Sequence, residues 1–459
     1  MRRAARSRAR VFAAAALLVA GLPAAGAAQR CGGTLALVGV ADGGRPVVRD
    51  TTIDLGPCLS LETIVARTLA NSPAMASAVG TTRDATAARR VAVGAYLPSL
   101  VLSGITGKTD QSANTSVTGA SSVQTTYGTG LATSVAVFTG GRRRDQLRQA
   151  DAMSRAATAG LVLQRYATIY TATQGYLDVL RAHELTRVAA EQVAQAGLGL
   201  DYVLRREAAG TAMRADVLSA QLAVSTARQV QLAASDTLVM TAAALGRLVG
   251  ANGPVDAEPT ATLDVMPLPL GDAAIISLAV STSPAVQTTQ AVASADSASV
   301  RAAKTLYVPT IVAAGGYNWA NQSTFVGGLR SGWVAELTTA FPIFDGFLRE
   351  QTVTQAEVAS YVATVSAADT RRLVAADATQ LLGNLHVAEH NIALARESVG
   401  LATENLRLYR TRYNAGIATI LDILTAQTSL VQAELSLVSA RFNYQSTRAS
   451  LEALLGRRL

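Results

Sequence analysis

The chain has 459 residues, with 40 basic and 32 acidic side chains and a formal charge of +8. Five arginines (Arg2, Arg3, Arg6, Arg8, Arg10) sit at its very start, so the rest carries only about +3, and the support for a nucleic-acid partner disappears. Its two cysteines and three histidines form no metal-ligating cluster in the sequence.

Residues 1–28 read as a secretory signal: the arginines precede an apolar run at 11–22, then Pro23 and small residues up to Ala28. A short extension at 29–58 follows, bracketed by Cys31 and Cys58. In an oxidising compartment the two thiols can form a disulfide, the alternative being two unpaired cysteines. Gln29-Arg30 stands before Cys31, where a lipid-attachment site would have small residues. Beyond the leader there is no run of 18 or more apolar residues, so a crossing of a membrane would have to be made by strands.

Residues 59–250 form a first repeat. Ser72 is placed to cap a helix with Pro73 in its first position, and Pro98 stops that helix. The pattern then changes to strands at about 99–112 and 122–138. On the second strand Tyr127, Thr129, Leu131, Thr133, Val135 and Val137 share a face. From Gly141 to Ala209 no proline occurs, which predicts a helix of roughly 100 Å at 1.5 Å per residue. Gly210 ends it, and a return helix starts near Asp216.

After a proline-rich linker at 251–271, the grammar is repeated over 272–459. Ser283-Pro284 and Pro309 answer Ser72-Pro73 and Pro98 at an offset of 211; Phe344 answers Phe138 at 206. Strands are expected at about 310–322 and 331–344, a second long helix up to Ala415, a glycine turn at Gly416 and a return helix from Asp422. Tyr127, Tyr317, Trp319 and Trp333 are placed to form an aromatic girdle, and Glu336 falls on the opposite strand face, toward water. Four strands cannot close a barrel, and open edges are not tolerated in lipid, so several copies must pool strands; three would supply 12. In each repeat the two shorter helices, end to end, match the long one, as a tube wall requires.

The order, duplication and spacing of these motifs resemble the TolC-type outer-membrane efflux protein family (outer membrane factors) over about residues 59–459. The resemblance rests on Tyr96-Leu97-Pro98, the turns after Phe138 and Phe344, Arg412-Tyr413-Asn414-Ala415-Gly416 and the Asp-hydrophobic-Leu pairs at Asp216 and Asp422. It implies an α+β membrane protein: a homotrimer with a 12-stranded outer-membrane β-barrel continued by a periplasmic α-helical barrel. It also implies an exit duct for small-molecule efflux or type I protein secretion, working with a periplasmic adaptor (membrane fusion) protein and an inner-membrane transporter, in contact with outer-membrane lipid. The turns at 208–214 and 414–421 would be the periplasmic tip, with Gly210, Asp216, Tyr413, Gly416, Asp422 and Thr425 as tip and pore candidates. Relatives can carry a second acid where this chain has Thr425, and an arginine where it has Ala418, so a charged latch is not expected here. The competing reading is a periplasmic structural or adhesive coiled coil without a channel.

No catalytic site, cofactor or metal is expected. His386-Val387-Ala388-Glu389-His390 fits a zinc-hydrolase pattern formally, but it lies within an alanine-rich helix with nothing to form a pocket. Asp216 and Asp422 have two readings, as helix N-caps or as pore-lining acids.

Overall fold

The computed structural model describes residues 35–36, 52–53, 55–111, 122–259, 265–321 and 329–459. The leader and Cys31 lie outside them; Cys58 lies within, and among the described residues no cysteine is free. The chain divides into one unit of Met1–Thr68, Ala172–Asp264 and Asn391–Asn443, and another of Leu69–Thr171, Val265–His390 and Tyr444–Leu459.

In chain order, β1 (Leu35–Ala36), β2 (Thr52–Ile53) and β3 (Cys58–Leu59) precede the first repeat. That repeat comprises α1 (Leu61–Asn71), α2 (Pro73–Gly94), β4 (Ser99–Gln111), β5 (Ser122–Phe138), α3 (Arg142–Ala208) and α4 (Arg214–Val249). After β6 (Asp256–Ala257) come α5 (Asp272–Thr282), α6 (Pro284–Lys304), β7 (Thr310–Asn321), β8 (Leu329–Ala340), α7 (Leu348–Asn414) and α8 (Ile420–Leu455). The starts of α1, α2 and β4 recur 211 residues later, and those of α3 and α4 recur 206 later. Both long helices have 67 residues and both return helices 36.

Local chemistry sets the boundaries. Ser72 accepts the Met75 N–H at 3.4 Å, with Pro73 in the first turn where a missing N–H costs nothing. The short helices α1 and α5 were not expected from the Ser-Pro signals that follow them. Their cue is the helical spacing of the buried Ile64, Val65 and Thr68, and of Ile275 and Ala279. The last strand, expected at 331–344, runs instead over Leu329–Ala340. Pro342 has no N–H to give a ladder, so pairing stops just before it. Arg214–Val249 is by length and mean hydropathy apolar enough to cross a membrane. The apolar-run criterion misses it because polar residues interrupt the helix; it buries a stripe including Val217, Val224, Leu238 and Leu245 against its neighbours.

In the first unit, β3 pairs in parallel with β6, Cys58 opposite Asp256. His183 of α3 holds the buried Asp256 at 2.6 Å, and the Tyr176 hydroxyl donates to the Glu258 carbonyl at 2.6 Å. A cluster of Val203, Val217, Leu406, Tyr413, Ile420 and Ile423 packs the ends of α3, α4, α7 and α8 together. In the second unit, Ile275, Val286, Val374, Leu382, Leu451 and Leu455 form a core, and buried Ala295, Ala298 and Ala302 allow α6 to approach closely.

The second unit also holds a four-stranded antiparallel sheet of order β4-β5-β7-β8. Its two hairpins share one register: Ser99↔Ser134 becomes Thr310↔Ala340 on adding 211 and 206. The junctions with the long helices repeat as well. Arg143 lies 4.9 Å over the Tyr96 ring and donates to the Val137 carbonyl at 3.3 Å; Arg349 lies 5.0 Å over Tyr307 and donates to the Ile343 carbonyl at 3.3 Å.

Candidate functional site

Two places concentrate the candidate residues: the glycine turns of the helical hairpins and the sheet. At the first turn α3 ends on Gly210, whose φ of +71° suits a residue without Cβ. The Thr211 N–H then reaches back to the Arg206 carbonyl at 2.8 Å, satisfying an end carbonyl. The second turn is built alike, with Gly416 at φ +77° and the Ile417 N–H on the Arg412 carbonyl at 2.9 Å.

The two acids enter one turn later than an N-cap. Met213 and Thr419 precede the return helices, and each aspartate reaches back from the third helical position. Asp216 accepts the Met213 N–H at 3.1 Å. Asp422 accepts both the N–H and the hydroxyl of Thr419 at 2.7 Å, while Thr419 Oγ1 accepts the Asp422 N–H at 3.3 Å. This reciprocal box holds the Asp422 carboxyl below the usual carboxylate range, chiefly through the Thr419 N–H. Thr425 is exposed and its hydroxyl donates within the helix to the Leu421 carbonyl. Ala418 packs at the margin of the apolar cluster.

Tyr413 is only 5% exposed, and its ring sits 5.5 Å from that of Tyr202. Burial is the largest influence on its phenol and pushes its pKa up. Arg206 joins the two turns. Its guanidinium lies 4.8 Å over the Tyr413 ring and donates to the Tyr413 carbonyl at 3.2 Å. The same group donates to the Thr211 carbonyl at 3.3 Å. The sequence reading missed Arg206, although it stands at the same distance before Gly210 as Arg412 does before Gly416. A cavity of about 230 Å³ beside this strut is lined by Leu198, Tyr202, Arg410, Tyr413 and Ile423 among others. Met213, Ile417 and Leu421 stand out from the turns, 72%, 79% and 68% exposed.

On the sheet, strand pairing places Leu102, Leu131, Tyr317 and Trp333 in one row across all four strands. Tyr127 and Trp319 belong to the same face, and Trp319 meets Tyr317 edge-on at 4.6 Å. Trp333 is 79% exposed. The other face presents Ser103, Gly130, Ala132, Ala314, Gly316, Glu336 and Thr338. Glu336 lies opposite Ala314 and accepts the Thr338 hydroxyl at 2.8 Å. Strands β4 and β8 are edges, with no further strand beside either among the described residues.

Two of the three histidines are engaged with acids. His386 contacts Asp272 at 3.1 Å and Glu389 at 3.7 Å, and His183 contacts Asp256. No group of three metal-capable side chains occurs among the described residues.

The model of the family described as outer membrane efflux protein matches residues 64–251 and 275–457. Protein CyaE of Bordetella pertussis is 28% identical over 383 residues, which are 80% of this chain and 77% of that one. A crystal structure of a membrane protein from Pseudomonas aeruginosa shares the fold with a TM-score of 0.75 at 22% identity, covering 87% of this chain and 90% of that one. The outer membrane protein VceC of Vibrio cholerae has a TM-score of 0.75 at 18% identity, covering 87% and 96%.

Proposed function

The chain belongs to the outer membrane efflux protein family, and from that premise we propose that it is the outer-membrane exit duct of a tripartite export system. Three copies pool their strands into a 12-stranded barrel, continued by a helical barrel through the periplasm. The chain catalyses nothing; an inner-membrane transporter supplies the energy, and a periplasmic adaptor links it to the duct. Cargo is a class of small molecules or a secreted protein, chosen by the transporter. The leader at 1–28 is removed on export, the extension at 29–58 follows it, and the linker at 251–271 joins two duct-forming repeats.

The observation that carries this reading is the sheet. One face carries the leucines and the aromatic girdle; the other is mostly small and polar, with Glu336 and a few aliphatics such as Ile105 and Val334, which suits lipid outside and water inside. Among the described residues both edge strands have no strand partner on their outer side, and each unsatisfied backbone group costs several kcal/mol in hydrocarbon, on the order of 2–7 by transfer data. A lone copy therefore cannot reside in a bilayer. The exposed apolar residues Met213, Ile417 and Leu421 on the helical turns support a docking role for that end, where an adaptor would cover them.

Detergent-extracted protein should have the mass of three chains and open stable single channels in planar bilayers. A water-extractable chain that forms no channels would favour the periplasmic coiled-coil reading instead.

A further inference from the structure

We propose that β8 of one copy pairs with β4 of the next in the register that β5 uses for β7 within a chain, placing Thr338 opposite Ile105. The inference rests on the assembly proposed above and adds its residue-level geometry.

The argument uses the internal duplication as a ruler. Since both hairpins share one register at offsets of 211 and 206, the β5·β7 seam is the contact of a repeat with its successor. At a closing seam the second repeat must meet the first repeat of the next copy. Ala132↔Gly316 then maps onto Thr338↔Ile105, and Thr133↔Gly315 onto Thr339↔Gly104. The face rule is obeyed: Leu337 comes opposite Thr106, which shares a face with Leu102 and Tyr127, and Glu336 comes opposite Gly107. A slip of one residue would turn every side chain to the wrong face. The Glu336–Gly107 pairing also resembles the existing seam, where Gly130 leaves room for the side chain of Asn318.

Contacts at the base of the sheet transfer in the same way. Gly140 packs against Val308, with φ +60° and an added Cβ only 2.6 Å from the valine Cβ. Its mate Gly346 has φ +68° and nothing within 4 Å of the same position. The mate of Val308 is Leu97, 67% exposed, so Gly346 of one copy seats on Leu97 of the next. Asp145 of α3 holds Arg301 of α6 at 3.5 Å; the mates are Gln351 and Arg90, both exposed. The edge that each copy leaves open is thus the edge its own repeats have already closed once.

Cysteine pairs in the full chain, oxidised in membranes and read on non-reducing gels, test this. Ile105→Cys with Thr338→Cys should link copies at least about tenfold more than Ser103→Cys or Gly107→Cys with Thr338→Cys. Those two pairs report slips of two residues, about 6.6 Å of displacement, which takes the Cα atoms outside disulfide range. Arg90→Cys with Gln351→Cys, on exposed helix positions, should link copies independently of any effect on the strands. Equal or better linkage through a slipped pair overturns the register. So does absence of linkage in all pairs when an amine cross-linker still captures three chains. If the amine cross-linker captures single chains only, the assembly itself is wrong and the register falls with it.

Discussion

Arg206 and Arg412 occupy equivalent positions in the two repeats but do different work. Arg206 ties its own turn, through Thr211, to the carbonyl and ring of Tyr413; Arg412 lies 6.0 Å over Tyr409 of its own helix. A charged donor on a carbonyl and a cation–π contact together contribute about 1–2 kcal/mol at a partly exposed site. Arg206→Ala should therefore loosen the turns, seen as greater single-channel conductance or more frequent opening, while Arg412→Ala should leave the channel near wild type. The spacing of each arginine to its glycine is legible in the sequence. The contact with Tyr413, across 207 residues, is not, because it depends on how the two hairpins pack. His386 supplies a pH-dependent counterpart. Its hydrogen bond to Asp272 raises its pKa above the ordinary value of about 6.5, with Glu389 adding to the effect. A raised folded pKa stabilises fully below the unfolded value, and that contribution is lost as pH rises through the folded value. Thermal stability should hence fall modestly from about pH 6 to pH 8, less so at high salt, and His386→Ala should remove that part of the slope.

At the scale of elements, proline and glycine carried most of the legible information. Ser-Pro opens α2 and α6, and Gly210 and Gly416 close the long helices, since each fixes a backbone geometry independent of distant packing. The short α1 and α5 were hidden because eleven residues hold only about three turns of period, and their burial comes from tertiary partners. Strand faces were legible by alternation alone; strand neighbours were not, as pairing β5 with β7 requires the two repeats to meet. The glycines at the sheet-to-helix junctions give a direct test. Gly140→Ala combines a left-handed φ with a clash against Val308 and should destabilise by about 2–3 kcal/mol, measured by denaturant or thermal unfolding. Gly346→Ala meets open space within the chain, so a single copy should lose only the backbone strain, about 1–2 kcal/mol, with a further loss on assembly where Gly346 is proposed to seat on Leu97 of the next copy. Phe347 adopts φ +68° where the first repeat has Gly141, so Phe347→Gly should be tolerated where Gly140→Ala is not.

In the proposed assembly, any carboxylate facing the axis would recur once per copy, and its field would be focused by the walls around it. Two acids compete for that role, Asp422 in the first turn of α8 and Glu336 on the polar face of the sheet. Asp422 is the stronger candidate for a charge that persists in acid, because the Thr419 N–H and hydroxyl hold its carboxyl ionised below the usual range. That same box makes Asp422 part of its helix terminus, so removing the acid alters both charge and local order. Asp422→Asn separates the two effects: it keeps an oxygen able to accept the Thr419 N–H while deleting the charge. If three copies of Asp422 ring the axis, reversal potentials in a salt gradient should show a cation preference in the wild type. Asp422→Asn should reduce that preference at neutral pH with single-channel conductance still measurable, and Glu336→Gln should change it less. An unaltered reversal potential for Asp422→Asn, with a shift for Glu336→Gln, would move the selective charge to the sheet and leave Asp422 a helix-capping acid alone.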